Sequence, residues 1–423
     1  MKILYLSQYF PPEMGAPAAR VAELSRLWTE AGHDVTVLTG FPNHPTGVVP
    51  PPYRRKMWRF AIREQLNGVN VVRTWLLPFP NRKPYERNLN YSSFAMSAAS
   101  TGMFVSRPDI VIATSPQLLA GVAGCWLARW QRVPFILEIR DLWPESLAAV
   151  GISGPNGVMY RTLENVAGFL YRRSDHVVVV TSAFRDALLS NWSLPPDKIS
   201  VVENGVDTDL FRPRADEART IRSQMQWEDK FVVAYIGTMG MAQGLEGLIE
   251  TAARVQSCSP GIMFLFLGEG AEKERITGLV RGRGMNNVFF LDQQPREKIP
   301  AYISAADACI VPLRKSALFK TVLPTKLLEF MACGRPVIVG VDGLARKIIS
   351  DANGGIFVDP ENSAALADAI LHLSRRPELC HVLGDNGRQY ILQKFTRRQT
   401  AETYLRVLEE VIGGQLIQAT AAA

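Results

Sequence analysis

Short runs of β-branched and aliphatic residues, each followed by a longer stretch with helical spacing, recur from one end of this sequence to the other. They fall at 2–7, 34–39, 69–75, 109–114, 134–139, 176–181 and 199–203, and again at 231–236, 262–267, 288–292, 308–312, 336–339 and 355–358. A strand buried on both faces reads as a continuous apolar run, and a parallel neighbour is reached only through a long crossover. The alternation therefore specifies βαβ units and parallel sheets. For 423 residues the expected architecture is α/β, with two doubly wound Rossmann-like domains.

The break between the two series falls at Asn204-Gly205-Val206-Asp207, followed by the polar Arg212-Pro213-Arg214. Domains are expected at 1–204 and 205–395, with a terminal segment at 396–423 that is helical to about 412 and frays over the alanines 419–423. At 47% hydrophobic and 21% charged residues, there is apolar material for two ordinary cores, and disorder, collagen and coiled coil are excluded. The five cysteines are scattered and never form a CxxC pair, so neither a disulfide framework nor a zinc cluster is expected. Met1 opens directly on a strand without a signal-peptide pattern, and the longest apolar stretch, 118–127, is too short to span a bilayer. A cytoplasmic protein is expected.

Residues 1–204 hold 21 Lys+Arg against 15 Asp+Glu, whereas 205–423 hold 26 against 25. The basic surplus concentrates in 53–87, where Arg54, Arg55, Lys56, Arg59, Arg63, Arg73, Arg82, Lys83 and Arg87 meet only Glu64 and Glu86. Tyr53, Trp58, Phe60, Trp75, Phe79 and Tyr85 are interleaved with them. Cations mixed with aromatics suit an anionic membrane surface, each cation contributing about 1 kcal/mol, and the same composition also reads as a solvated basic face. Nucleic acid is not an expected partner: a net charge of +7 is modest, and no RNP, helix-turn-helix or zinc pattern is present.

Ligands of open α/β sheets bind beyond the carboxyl ends of the strands, which selects four segments. Residues 8–17 place Gly15 ahead of a helix expected over 18–30, where a backbone can approach an anion, unless this is a plain turn. After 134–139 comes Glu138-Ile139-Arg140-Asp141-Leu142-Trp143-Pro144-Glu145. This cluster suits hydroxyls and phosphate, or else holds an Arg140–Asp141 pair with Glu145 capping the next helix. After 231–236 the glycines Gly237, Gly240 and Gly244, with Gln243 among them, precede a helix and form either a phosphate concavity or a turn. No Walker lysine or GxGxxG spacing accompanies them, so no nicotinamide or other cofactor is expected. In 323–336, Lys326 and Glu329 share a helix face, fit for a diphosphate and for sugar hydroxyls, or else make an i,i+3 ion pair. No two histidines stand at metal spacing, and no metal site is expected.

Over about residues 1–410 the chain resembles a retaining glycosyltransferase of the GT-B fold, in the GT4 family. The resemblance rests on Gly32-His33-Asp34-Val35-Thr36-Val37-Leu38-Thr39, Asn204-Gly205-Val206-Asp207, Gly268-Glu269-Gly270 and the block 324–336. Phe41-Pro42-Asn43-His44-Pro45-Thr46-Gly47 and Arg140-Asp141-Leu142-Trp143-Pro144-Glu145 resemble the subgroup that adds amino sugars such as N-acetylfucosamine in surface-polysaccharide synthesis. The resemblance implies a nucleoside-diphosphate sugar donor, UDP-linked, on the second domain and a lipid-linked glycan acceptor on the first. It also implies a cleft between them and a final helix, 396–412, that crosses back. Gly15, Gly237, Gly240, Gln243, Gly244, Glu269, Lys326 and Glu329 would bind the donor, and Arg140, Asp141 and Lys326 would serve catalysis. Arg54, Arg55, Lys56, Trp58 and Arg59 would face the acceptor and the inner membrane surface, making the protein peripheral there. Two departures stand out: Thr321 replaces the first glutamate of the Glu-x7-Glu pair, and Gln243 replaces the usual lysine. They motivate an alternative, a non-catalytic sugar-nucleotide-binding protein of the same fold.

Overall fold

The computed structural model describes residues 1–44, 46–80, 83–149 and 157–421. Pro45, Arg82 and the last two alanines of the segments singled out above therefore lie outside the described residues. The chain divides into two compact units, Met1–Glu203 with Arg398–Ala423, and Asn204–Arg397.

The first unit holds β1 (Lys2–Leu6), β2 (Asp34–Gly40), β3 (Ala61–Leu66), β4 (Val69–Thr74), β5 (Ile110–Thr114), β6 (Phe135–Ile139), β7 (His176–Val179) and β8 (Ile199–Val201). Their order is β3-β4-β2-β1-β5-β6-β7-β8. All pairings are parallel except β3 with β4. That edge strand has no counterpart among the apolar runs, because AIREQL is half polar and lies at the sheet margin. Its one local signal is Asn67-Gly68, whose positive φ values of 50° and 80° suit the tight hairpin turn.

The last helix, Arg397–Ala421, packs on this first unit, adding Ala401, Tyr404, Val407 and Leu408 to a core shared with Val21, Leu24 and Trp28. Tyr404 meets Trp28 edge-on at 5.3 Å, and the Trp28 indole N–H donates to the Ala401 carbonyl at 3.1 Å. Each fully buried large apolar side chain contributes about 1.5–3 kcal/mol, which ties the end of the chain to its beginning. The helix continues past the expected end at 412, through Gly413 and Gly414 to Ala421.

The second unit holds β9 (Phe231–Ile236), β10 (Ile262–Leu267), β11 (Val288–Leu291), β12 (Ala308–Pro312), β13 (Val337–Gly340) and β14 (Gly355–Phe357), in the order β11-β10-β9-β12-β13-β14. Alternate residues feed two cores. Val232, Ala234, Ile236, Leu265 and Val337 point to one, and Val233, Tyr235, Phe264, Phe266 and Ile338 to the other, as a sheet covered on both faces requires. Strand order reverses between β9 and β12 here, and between β1 and β5 in the first sheet. The loops after these strands are therefore the expected ligand sites.

Candidate active site

In the second unit, helix Thr325–Ala332 delivers Lys326 to the loop that leaves β9. The ammonium donates to the Tyr235 hydroxyl at 3.1 Å and lies 4.2 Å from the centroid of the same ring, while that hydroxyl donates to the Thr238 carbonyl. Gly237, with φ 134°, makes room for it: a Cβ there would stand 2.7 Å from the Lys326 Nζ. Burial pushes the ammonium down to about 8, opposed only by Glu329. Among the described residues no carboxylate is ion-paired with it, and a cation held in this way beside a backbone loop suits an anion.

The surrounding residues are more mutually engaged than the sequence implies. The Gly237 and Met239 N–H groups donate to the carbonyls of Leu267 and Glu269 at 2.9 and 2.8 Å. The Gly240 N–H donates to Gln243 Oε1 at 3.0 Å. The concavity is thus a rigid loop latched to its neighbour strand, and Gly244 closes it next to Arg314, whose guanidinium donates to the Met241 carbonyl at 2.7 Å. Glu269 pairs with Lys273 at 2.6 Å, and Lys273 also holds Asp292 at 2.6 Å. Glu329 pairs with Arg296 at 3.0 Å, and Arg296 stacks over Phe211 at 4.8 Å. The i,i+3 ion pair offered for Lys326 and Glu329 is therefore not made: each side chain has a different partner. Sequence reasoning missed Tyr235 and Arg296; the first reads as an ordinary strand residue and the second sits in a loop without a motif. Thr321, in the place of the family's first glutamate, ends a short 3-10 turn and donates to the Leu318 carbonyl at 2.6 Å.

In the first unit Gly15 stands at the N-terminus of helix Ala16–Glu30, and Glu138, Arg140 and Asp141 leave the end of β6. Glu138 is fully buried, taking Arg20 Nε at 2.9 Å and the Tyr5 hydroxyl at 2.6 Å. Burial alone would raise its carboxyl, but Arg20, Arg140 and the Tyr5 and Thr114 hydroxyls hold it below the usual glutamate range. Arg140 and Asp141 make no ion pair in the structure. The Arg140 Nε and one terminal nitrogen are buried without a hydrogen-bond partner among the described residues, and burial lifts the Asp141 carboxyl to about 6 against the pull of Arg140. Glu145 opens a short helix, Glu145–Ala149, and its Oε2 is likewise buried without a partner among the described residues.

Glu13, passed over within the 8–17 turn, holds the first unit's neighbouring loop. Its Oε1 accepts from the backbone N–H groups of Asn43 and His44, both at 2.9 Å, and its Oε2 from Phe10 at 3.4 Å. Burial pushes this carboxyl up to about 7 in spite of those donors. An acid with a raised pKa binds its proton more tightly folded than unfolded. Its contribution is therefore greatest below the ordinary value of 4.5 and is lost as pH rises to about 7. Glu13→Gln is expected to flatten that slope, worth about 3 kcal/mol at most. Denaturant titration of the first unit's transition at stepped pH reads it, and an unaltered slope would show that Glu13 titrates normally.

The basic segment does not form one face. Arg54, Arg55, Lys56 and Trp58 are exposed on the short helix Pro51–Arg54 and the 3-10 turn Arg55–Trp58, and Arg59 just after it, with Trp58 94% exposed. Arg73 is instead wholly buried in β4, paired with Glu64 at 2.5 Å and stacked on Tyr53 at 4.8 Å. Lining the hairpin rather than the surface, it is subtracted from any docking patch.

Comparison with known proteins agrees with these two halves. Residues 15–205 match the glycosyl transferase 4-like domain, and residues 217–390 match the glycosyl transferases group 1. The putative colanic acid biosynthesis glycosyl transferase WcaI of Escherichia coli (strain K12) is 26% identical over 385 residues, 88% of this chain and 91% of that one. Sucrose-phosphate synthase from Thermosynechococcus elongatus superposes with a TM-score of 0.78 at 22% identity, covering 98% of this chain and 99% of its own. HepE of Anabaena, solved in complex with UDP and glucose, gives 0.72 at 18% identity, covering 97% and 99%. The fold is GT-B, two Rossmann-like sheets of mainly parallel strands. Because the two matched families account for one unit each and between them for most of the chain, this protein belongs to the group 1, GT4-like glycosyltransferases.

Proposed function

We propose that the chain transfers an N-acetylated deoxyamino sugar from a UDP-linked donor to a polyprenyl-diphosphate-linked glycan, with retention and without a metal ion, during surface-polysaccharide synthesis. The observation that carries this reading is Lys326, a partly buried cation with a depressed pKa, lodged between Gly237 and Tyr235. When the bond from the sugar C1 to the diphosphate oxygen breaks, charge collects on the diphosphate, and a fixed ammonium in a poorly solvated site stabilises that charge most where it develops. The acceptor hydroxyl bonds to C1 on the face the diphosphate leaves, its proton passing to a diphosphate oxygen, so configuration is kept.

The E. coli relative's assignment to colanic acid synthesis supports a polysaccharide role, and the UDP and glucose held by the Anabaena protein support a UDP-sugar donor. A lipid-linked acceptor is supported by the exposed Arg54, Arg55, Lys56, Trp58 and Arg59. Among the described residues no helix is long and apolar enough to cross a membrane, so attachment would be peripheral. Arg54→Glu/Arg55→Glu/Lys56→Glu is expected to abolish flotation with anionic liposomes at low salt. Flotation equal to that of the parent would remove the docking patch.

The decisive experiment offers UDP-linked amino sugars and lipid-linked glycans in EDTA and follows UDP release and the anomeric configuration of the product by NMR. Release with an α-product from an α-donor is expected. UDP binding without release for any acceptor would favour the binding-protein alternative, for which Thr321 and the inward-turned Gln243 speak. Activity abolished by EDTA, or an inverted product, would overturn the mechanism.

A further inference from the structure

A cavity of about 420 Å³ opens in the first unit between helix Val158–Arg173 and the last turn of helix Ser182–Trp192, with Glu145 in its lining. Its volume is within the roughly 300–1,000 Å³ of small-molecule sites. The wall combines the carboxylates Glu145 and Glu164, the carboxamides Asn165 and Asn191, the Arg172 guanidinium and the Trp192 indole. Trp192 is fixed in place: it meets Tyr171 edge-on at 5.1 Å and lies so close over Gly168 that a Cβ there would come within 2.5 Å of the ring. Glu145 Oε2 is buried without a hydrogen-bond partner among the described residues. Burial, with the neighbouring Glu164, pushes the Glu145 carboxyl up.

That combination separates ligand classes. Two carboxylates against one guanidinium disfavour phosphates and nucleotides, and a wall this polar disfavours purely apolar ligands. Hydroxyl pairs suit carboxylates and carboxamides, and an indole offers a flat apolar face to the axial C–H groups of a pyranose. We propose that this cavity is a saccharide subsite that takes a neutral or amino-bearing pyranose, a unit of the acceptor glycan remote from the reacting hydroxyl. The assignment to the acceptor rests on the glycosyltransferase reading; the capacity to bind a pyranose does not. Glu145 follows Asp141 by four positions, so a glycan unit held here lies along the chain segment that leaves β6.

Saturation-transfer NMR on the full chain tests this, with methyl β-glucoside and methyl N-acetyl-β-glucosaminide as probes. Signal on the ring protons is expected, and Glu164→Ala/Asn191→Ala, which removes one acceptor from each helix, should weaken binding at least about tenfold, since a hydrogen bond to a charged group contributes that much. Both positions tolerate alanine in a helix, and the first unit's own unfolding transition, measured in parallel, reports that the variant is folded. Equal saturation in parent and variant, or none in the parent, overturns the subsite. Saccharide binding without UDP binding or sugar transfer would leave the subsite standing and remove its assignment to an acceptor.

Discussion

Lys326→Met is expected to lower kcat by a factor of about 10²–10³ while leaving the second unit folded, because it deletes the ammonium that the proposed function sets against charge on a departing diphosphate. Methionine keeps an unbranched chain as far as Cε, the atom that a Cβ at Gly237 would meet at 3.0 Å, so that contact remains filled. Stability should move the other way. The lysine pKa lies near 8 in the fold and at 10.5 in its absence. Keeping the group protonated in the fold therefore costs on the order of 3 kcal/mol, a cost fully present below about pH 8 and relieved as pH climbs toward 10.5. The variant is expected to unfold at a higher temperature than the parent at pH 7 and to lose that advantage above pH 10. UDP reverses the balance in the parent alone, since a diphosphate draws the ammonium back to its charged form. Parent affinity should then fall as pH passes 8, with proton uptake on binding in that range. Calorimetry in two buffers of different ionisation enthalpy measures it, and a variant with parental kcat and parental UDP affinity would remove Lys326 from the reaction.

How far this site could be read from sequence depends on where each partner lies in the chain. Lys326 and Glu329 were legible because three residues on a helix bring two side chains to one face. Tyr235 and Arg296 were not: they stand 91 residues from Lys326 and 33 from Glu329, and no local pattern marks a strand tyrosine as the seat of an ammonium. The same asymmetry runs through the fold. Strands buried in parallel sheets betray themselves as apolar runs, whereas β3, antiparallel at the edge and half polar, left only the Asn67-Gly68 turn as a trace. Charge counting along the chain placed Arg73 with Arg54, Arg55 and Lys56, but a count carries no information on burial. Only the hairpin, by bringing Glu64 beside β4, takes Arg73 off the surface.

Glu138→Ala should be the most damaging substitution for stability in the first unit. Its carboxylate is wholly buried and receives Arg20 and Tyr5, with Arg140 close by, so truncation removes the carboxylate that faces two buried guanidinium groups. Removing one partner of a buried pair costs about 3–5 kcal/mol, which for a unit of this size lowers the midpoint of unfolding by on the order of 10 °C. The folded carboxyl is held below its ordinary value. Its contribution is therefore present above the unfolded glutamate pKa and lost as pH falls through the folded one, so acid should erase the difference between parent and variant. Charge pairing and packing separate in a cycle. Arg20→Met combined with Glu138→Leu replaces the pair by apolar side chains, and should recover much of what either single truncation loses. Strictly additive losses would mean that Arg20 and Glu138 do not act as a pair. Arg140 gives the cycle a second reading: two of its nitrogens are buried without a partner among the described residues, and burial lowers its pKa against the pull of Glu138. In the double variant, restored stability with sugar transfer still lost would locate the role of Glu138 in presenting Arg140 rather than in holding the sheet together.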